Sequence, residues 1–171
     1  MKQKIKFIIN DVFKGFFEST DIYVNNLSED LKVFNITCAT IFSHIDIYDA
    51  FDNKLSYDTI PLEKNKFFHM LINFVTPVPP KNQFSLKTHA TLEKLYFEIT
   101  TIQKDDIFFW HINHVPGIYS ELDFEIEFSD KFKFIHAIGI QPKIQNEMHI
   151  SWHVNLNEKD NFNPIVVYRL S

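Results

Sequence analysis

Apolar and acidic residues alternate with a period of two over residues 121–128. The apolar positions are Leu122, Phe124, Ile126 and Phe128, and the acidic positions are Glu121, Asp123, Glu125 and Glu127. Because successive side chains of a strand point to opposite faces, this alternation predicts a strand with one buried and one charged face. Alternate carboxylates on a strand lie about 7 Å apart, too far to converge on one calcium ion, so we interpret the acidic row as a solvated face.

The turn after this strand predicts a β-hairpin. A three-residue loop over residues 129–131 would place Phe128 opposite Phe132. The same register would place Glu127 opposite Lys133. Apolar residues would then face apolar residues and an acid would face a base, which stabilises an antiparallel pair.

Further segments that are rich in β-branched and aromatic residues predict the other strands of this half. They are Ser85–Thr91, Leu95–Ile102, Ile107–Asn113, Phe134–Ile140, Met148–Asn155 and Ile165–Leu170. Short strands about ten residues apart, with turn residues between them, are typical of an antiparallel sandwich or barrel.

The first half contains a strand-turn-strand pattern and a proline-rich break. Residues 45–48 and 55–57 predict two strands around the turn residues 52–54. Phe67–Val75 predicts a third strand, which we expect to end at the prolines that begin with Pro77, because proline lacks the N–H that a ladder requires. We interpret residues 1–171 as one domain with a possible loop break over residues 76–84.

Two segments near the N-terminus have helical periodicity. Residues 27–51 carry apolar residues at alternating spacings of 4 and 3, which fits a helix, but they are also rich in Val, Ile and Thr, which favour strands. We interpret them as β. Asp11–Ser19 predicts a short amphipathic helix with Val12, Phe13, Phe16 and Phe17 on its buried side. The predicted fold class is therefore mostly all-β, an antiparallel β-sandwich with a short N-terminal helical element.

The composition is that of a globular chain with an aromatic core. The chain has 19 Phe and only 3 Gly in 171 residues. Phe can fill a thick core between two sheets, and it can also line a pocket for an apolar ligand. The scarcity of Gly argues against the glycine-rich loops that bind phosphates.

Charge and hydropathy exclude several kinds of partner. The net charge is −5, and Arg169 is the sole arginine among 17 basic residues, so we expect no nucleic-acid binding. We interpret the alternating Lys2, Lys4 and Lys6 as the solvated edge of a first strand. No segment approaches the roughly 20 apolar residues of a membrane span. The N-terminal apolar run is too interrupted for a signal peptide, so we expect a cytoplasmic protein.

Cys38 is the single cysteine, so no disulfide can form within the chain. Its small neighbours Thr37 and Ala39 are typical of a buried position in which cysteine acts as a small apolar residue.

A repeated tetrapeptide provides the candidate binding site. Residues 110–113 and 152–155 both have the sequence Trp-His-x-Asn, in which x is Ile or Val. On strands, the Trp and x side chains would be buried and the His and Asn side chains would face away from them. If the two strands are close, they form a polar patch. Its residues are His111, Asn113, His149, Ser151, His153 and Asn155.

The same histidines raise the question of a metal. His111, His114, His149 and His153 have the commonest nitrogen ligand of zinc and copper. A catalytic zinc also needs a third ligand and a base, and the sequence does not indicate which carboxylate would serve. We therefore predict no metal and no other cofactor.

Two short motifs support an enzymatic alternative. His89-Ala90-Thr91 and His149-Ile150-Ser151 resemble the paired His-x-Thr/Ser motifs of the 2H phosphoesterase family. The resemblance implies that His89 and His149 act as general acid and base, and that Thr91 and Ser151 hold a phosphate. It covers only these residues. We expect the two imidazoles to lie more than about 10 Å apart, too far for paired acid–base work.

The function that we favour from the sequence is a non-enzymatic binding or assembly module, that is, a structural or protein-interaction subunit. No catalytic group of residues is complete at the level of the sequence, so we expect no enzymatic activity. The partner would be another protein or further copies of the chain. The alternatives are the 2H-type phosphoesterase and an apolar-ligand-binding β protein.

Overall fold

The computed structural model describes residues 2–39, 42–62, 67–112, 121–155 and 161–171. Across these ranges the chain forms fourteen strands and one short helix. The first seven strands are β1 (Lys2–Asp11), β2 (Lys14–Val24), β3 (Leu31–Ala39), β4 (Phe42–Tyr48), β5 (Lys54–Pro61), β6 (Phe67–Val78) and β7 (Gln83–Leu92). The remaining elements are α1 (Lys94–Thr100), β8 (Thr101–Lys104), β9 (Ile107–His111), β10 (Glu121–Phe128), β11 (Phe132–Ile138), β12 (Ile144–Gln145), β13 (His149–Asn155) and β14 (Ile165–Leu170).

The strands form two sheets. The large sheet has ten strands in the order β12-β13-β10-β1-β2-β7-β4-β5-β6-β3, and the small sheet has four in the order β11-β14-β9-β8. Most neighbouring strands are antiparallel, but β1 and β10 pair in parallel. The predicted all-β class is confirmed. Within the described residues, no helix has the length and the apolar character that a membrane crossing requires.

The first hydrophobic core lies between the two sheets. Trp110 from β9 and Trp152 from β13 are 0% and 3% exposed and belong to the same core. Phe7 from β1 contacts the Trp110 indole with the ring centroids 5.1 Å apart. Both tryptophans are therefore buried, as the alternation in their tetrapeptides predicts.

A second core forms because the large sheet curls over itself. β3 and β2 are five positions apart in the sheet, which would be about 24 Å in a flat sheet. Nevertheless, the Phe34 ring of β3 lies 4.7 Å from Tyr23 of β2 and 5.2 Å from Phe84 of β7. The far strands thus pack their apolar faces against β2 and β7, and Met70 and Ile72 of β6 are fully buried beside them.

The helix expected over Asp11–Ser19 is wrong, because this segment forms the turn between β1 and β2 and the first part of β2. Gly15 faces Ile9 across the hairpin, and a Cβ at Gly15 would lie 2.6 Å from the Ile8 carbonyl oxygen. Tertiary packing favours a strand over a helix in this segment. Phe17 packs against the first core, whereas its neighbour Phe16 is exposed on the other face of β2. Adjacent Phe residues in such a pattern can belong to the two faces of a strand as well as to one side of a helix.

The hairpin expected around residues 129–131 is also wrong, because β10 belongs to the large sheet and β11 to the small sheet. The loop is an arch between the sheets. Phe128 and Phe132 enter the first core from opposite sides, and both rings contact Tyr168. The charged partners differ accordingly: Glu127 pairs with Lys6, and Lys133 pairs with Glu147.

Other sequence predictions had mixed outcomes. Residues 27–51 contain strands β3 and β4, so their interpretation as β is confirmed. The strand expected over Leu95–Ile102 is instead α1 followed by β8, with Phe97 of the helix fully buried in the first core. β6 continues through Pro77 to Val78, in a stretch where its pairing with β3 is irregular and a missing N–H is tolerated. The expected break over residues 76–84 is thus a short turn between β6 and β7.

The first strand is not at an edge. β1 lies between β10 and β2 in the large sheet, so the interpretation of Lys2, Lys4 and Lys6 as a solvated edge is wrong. The parallel register places these lysines beside Glu121, Asp123 and Glu125. Their role in the fold is to balance the acidic face of β10.

Trp152→Ala should lower the free energy of unfolding by roughly 3–5 kcal/mol, because it removes a large aromatic ring from the first core. Denaturant unfolding measures this change, with Asn155→Ala, an exposed position on the same strand, as the control within about 0.5 kcal/mol of wild type. Tryptophan fluorescence that iodide quenches fully in the native protein would contradict the burial.

Candidate binding groove

The loop between β4 and β5 is held by one aspartate. Asp49 Oδ1 accepts hydrogen bonds from the backbone N–H groups of Phe51 and Asn53 at 2.8 and 2.9 Å. The Asn53 side-chain amide donates to Asp49 Oδ2 at 2.9 Å, and the Asp49 N–H donates to the Asn53 carbonyl at 3.0 Å. Asp52 has φ +62°, a left-handed conformation that aspartate adopts more readily than most residues. These contacts order a five-residue loop.

The ordered loop presents an aromatic side chain to solvent. Phe51 is 86% exposed, the largest exposure among the large hydrophobic residues that the structure describes. Asp49 and Asn53 fix the backbone on both sides of it. Burial of this ring in a partner would be favourable by about 1.5–3 kcal/mol. This residue is therefore a candidate contact for a partner.

Phe51 stands at the rim of a half-open groove of about 820 Å³. Residues 49–54, 74–79 and 82–85 line it, and we call it the Phe51 groove. Its apolar lining residues are Phe51, Phe74, Val75, Pro77, Val78, Pro79 and Phe84. Phe84 and Phe74 also belong to the second core, with ring centroids 5.2 Å apart. The groove wall is thus anchored in the packed interior.

The charges at the groove are neutralised by ion pairs. Asp52 pairs with Lys87, and Lys54 pairs with Asp46 at 2.6 Å. The hydrogen bond from Lys54 is the main reason why the pKa of Asp46 lies below its usual value. Because the nearby charges have partners, the apolar part of the groove is the part available to a ligand.

Asp49 itself is held in its ionised form. Burial raises the pKa of this carboxyl group, but the hydrogen bonds from the Asn53 side chain and from the backbone of Asn53 and Phe51 outweigh burial. The pKa therefore lies below that of a free aspartate. The loop is then fully hydrogen-bonded at neutral pH.

The structure divides the predicted polar patch between two sheets. His149, Ser151, His153 and Asn155 share the outer face of β13 in the large sheet. His111 lies on β9 in the small sheet, and it is exposed on the side opposite to the buried Trp110. Asn113 and His114 lie outside the described residues. His111 and His153 therefore occupy opposite outer sides of the sandwich, although both Trp-His dipeptides contribute to one core.

The histidines of β13 are paired with carboxylates of β10. His153 Nδ1 lies 2.6 Å from Asp123 Oδ1, and His149 Nε2 lies 3.0 Å from Glu125 Oε1. Lys2 Nζ also contacts Asp123, at 2.9 Å. Burial raises the pKa of Asp123, but the hydrogen bonds from His153 and Lys2 bring it below its usual value. The charged side chains described on this face are therefore paired with one another.

No ligand set for a metal is assembled within the described ranges. In residues 2–39, 42–62, 67–112, 121–155 and 161–171, no three His, Cys, Asp or Glu side chains are grouped so that they could hold an ion. The Cys38 side chain is partly buried beside the second core, and burial raises the pKa of its thiol to about 11. At neutral pH the thiol is protonated, which does not favour a nucleophilic role.

The two His-x-Thr/Ser motifs lie on separate strands of the large sheet. β7 carries His89 and Thr91, and β13 carries His149 and Ser151. Three strands, β10, β1 and β2, lie between β13 and β7, so the two strands are four spacings apart, or about 19 Å measured along the sheet. His89 instead lies beside Glu18 and Asp46 on the neighbouring strands, and with Thr91 and His44 it lines a shallow depression of about 300 Å³. The two motifs therefore lie on strands that have three other strands between them, and the expected separation of the two imidazoles stays a prediction.

Sequence reasoning missed the Phe51 groove. Its turn was predicted, but Phe51 was not selected as a functional residue. The available signal was a large aromatic residue among the turn-forming Asp49, Asp52 and Asn53, where solvent exposure is the expected environment.

Comparisons with known proteins identify the fold and no family. No protein-family model and no curated protein matches this chain. A solved structure named as a nutrient binding protein from Legionella pneumophila matches with a TM-score of 0.59 and 7% identity, over 99% of this chain and 66% of that one. The M1 zinc metallopeptidase of Deinococcus radiodurans matches with a TM-score of 0.56 and 7% identity, over 99% of this chain and 41% of that one.

A third similar structure is native leukotriene A4 hydrolase from Saccharomyces cerevisiae, with a TM-score of 0.56 and 11% identity over 99% of this chain and 28% of that one. This chain therefore spans between 28% and 66% of the lengths of the three proteins. At such low identity the likeness concerns the fold alone. None of the eight histidines is followed by glutamate, so the sequence contains no His-Glu-x-x-His zinc motif.

Asp49→Ala should loosen the loop and lower the free energy of unfolding by about 1 kcal/mol, because the mutation leaves backbone N–H groups without their acceptor. Hydrogen exchange of the Phe51 and Asn53 amides should become faster in this variant. Asp130→Ala, in the exposed arch between the sheets, is the matched control. Unchanged exchange in Asp49→Ala would contradict the role of Asp49.

The contribution of Asp49 should also depend on pH. Its folded-state pKa lies below the unfolded-state value of about 3.9, so its stabilisation is present above that value. The stabilisation is lost as the pH falls through the lower, folded-state pKa. The difference in unfolding free energy between wild type and Asp49→Ala should therefore shrink when the pH is lowered below about 4, and a difference that grows there would contradict this assignment.

Proposed function

We propose that this chain is a non-enzymatic binding module that recognises a protein partner through the Phe51 groove. The observation that carries the proposal is the ordered loop that holds Phe51 out in solvent beside an apolar groove. The ligand is a short extended peptide segment with an apolar side chain that enters the groove. Phe51 covers that side chain from the rim.

Preorganisation supports this role. Binding normally costs about 0.5–1.5 kcal/mol for each flexible side chain that becomes ordered at an interface. The Asp49 hydrogen bonds order the loop backbone before any ligand arrives, and Pro77 and Pro79 restrict the opposite wall. Buried aromatic anchors are frequent among the residues that dominate binding energy. Phe51 has the chemistry and the position for such an anchor.

The dimensions of the groove support a peptide as the ligand. Its volume of about 820 Å³ is within the range of roughly 300–1,000 Å³ that is usual for ligand sites. The groove is half-open, so a longer chain can enter and leave it at the surface. The backbone groups and polar side chains along it, such as Asn82 and Gln83, can hydrogen-bond an extended backbone.

The placement of the candidate histidines supports a non-enzymatic role over the phosphoesterase alternative. His89 and His149 are separated by about four strand spacings, and the histidines of β13 are paired with carboxylates. Similar folds also form only part of longer proteins, which is compatible with a module that works beside other units. We assign the module to the cytoplasm because its single thiol needs no oxidising compartment. Its acidic net charge of −5 supports a protein partner over a nucleic acid.

Selection from a random peptide phage library tests the proposal. Peptides that bind the wild-type protein should share an apolar residue, and Phe51→Ser should weaken them at least tenfold. Phe13→Ser, which removes a partly exposed phenylalanine from the β1–β2 turn outside the groove, should leave their affinity unchanged. Val75→Asp, on the opposite wall, should weaken them as Phe51→Ser does.

The variants are expected to remain folded, because Phe51 and Val75 are 86% and 76% exposed and exposed substitutions usually change stability by less than about 0.5 kcal/mol. Thermal unfolding checks this expectation. Selected peptides that bind Phe51→Ser and Val75→Asp as tightly as wild type would refute the groove as the binding site. A selection that enriches no peptide would refute the proposed ligand class.

A further inference from the structure

The two sheets end in four strands, and three of them are protected against pairing with another chain. β12 has only two residues and β8 only four, so neither offers a long ladder. β11 begins beside Lys131 and contains Lys133, and its register is interrupted between Phe134 and His136. Short length, lysine and irregular register are the usual protections of a sheet edge.

The fourth edge, β3, lacks these protections. It has nine residues, contains no proline or glycine, and carries one charge, Lys32, near its start. Its register irregularity lies between Leu31 and Val33, and from Val33 to Ala39 it pairs regularly with β6. Within the described residues, no strand pairs with its other side. A long regular edge with almost no charge is a template for an added strand.

We infer that β3 pairs with β3 of a second copy of this chain, antiparallel, about a two-fold axis at Ile36. An antiparallel arrangement with such an axis closes after two copies and leaves no further edge. Ile36 then lies opposite Ile36 of the partner. Phe34 lies opposite Cys38, and Asn35 lies opposite Thr37, each pair occurring twice.

The sequence of β3 is complementary to itself in this register. Phe34, Ile36 and Cys38 are partly buried and pack against the second core, so the pairing continues an apolar face from one copy to the other. Asn35 and Thr37 are exposed on the opposite face, where the Thr37 hydroxyl lies 3.2 Å from His69 Nδ1 and the Asn35 amide can hydrogen-bond across the axis.

No charge on β3 opposes the pairing with a second copy. The stretch from Val33 to Cys38 contains no charged residue, so no two charges face each other across the axis. Lys32 lies outside the central five residues and meets no lysine of the partner. A strand that lacks charge imposes no repulsion on its own copy, whereas like charges directly opposite would destabilise the pair. This inference does not rest on the proposed peptide groove.

Sedimentation equilibrium over a range of concentrations tests the inference with an Asn35→Lys/Thr37→Lys double variant. The wild-type protein should form a dimer. In the variant, the lysine introduced at position 35 of each copy would face the lysine introduced at position 37 of the other, so the dimer should dissociate at least tenfold more readily. Gln103→Lys/Gln145→Lys adds the same charge at the exposed edges β8 and β12 and should dimerise as the wild type does. Circular dichroism establishes that each variant is folded.

A cross-linking experiment tests the register and does not depend on the lysine variants. In a Cys38→Ser background, Asn35→Cys/Thr37→Cys should form a covalent dimer on mild oxidation, and Asn35→Cys alone should form little. Opposed Cβ atoms lie about 4.5–5.5 Å apart, close to the roughly 3.5–4.5 Å of a disulfide. A wild-type protein that is monomeric at every concentration, or a dimer that is unaffected by Asn35→Lys/Thr37→Lys, would overturn the inference. Equal cross-linking through Asn35→Cys alone would overturn the register.

Discussion

The fold depends on aromatic packing between two sheets. Phe7 of the large sheet contacts Trp110 of the small sheet, and Phe128 of the large sheet contacts Tyr168 of the small sheet with the ring centroids 5.1 Å apart. The long strands β1, β7, β10 and β13 each supply an apolar face, which must be placed over this core or over the second one. The charged faces are then left outside, where lysines of β1 balance the acids of β10. Burial of the aromatic residues therefore also determines which residues can form a site.

The curvature of the large sheet creates the candidate groove. Phe34 of β3 reaches Tyr23 and Phe84 because the far strands fold back over β2 and β7. Together with the pairing of β4 with β7 and of β5 with β6, this bend brings the end of β6, the start of β7 and the β4–β5 loop around one space. The same packing that forms the second core thus places Phe51 beside an apolar wall.

The sequence predicted the faces of the strands better than their partners. The alternation over residues 121–128 correctly identified β10, but an arch and a hairpin satisfy the same pattern around Ser129. In a hairpin, Phe128 and Phe132 would face one core from the same sheet. In the observed arch, they face one core from two sheets, so apolar residues are expected at both positions in either case. The parallel pairing of β1 with β10 joins residues about 119 positions apart in the chain, which local patterns cannot reveal. The groove was missed for the same reason, because its segments meet through the pairing of β4 with β7 and of β5 with β6, which local patterns do not reveal.

The account depends on a β4–β5 loop that is ordered before any partner binds. Measuring ¹⁵N relaxation of the backbone amides tests this directly, since it reports the order of each residue in the free protein. The account predicts an order parameter for Phe51 near the roughly 0.85 of rigid strands. A value below about 0.6, with β4 and β5 rigid on both sides, would contradict it.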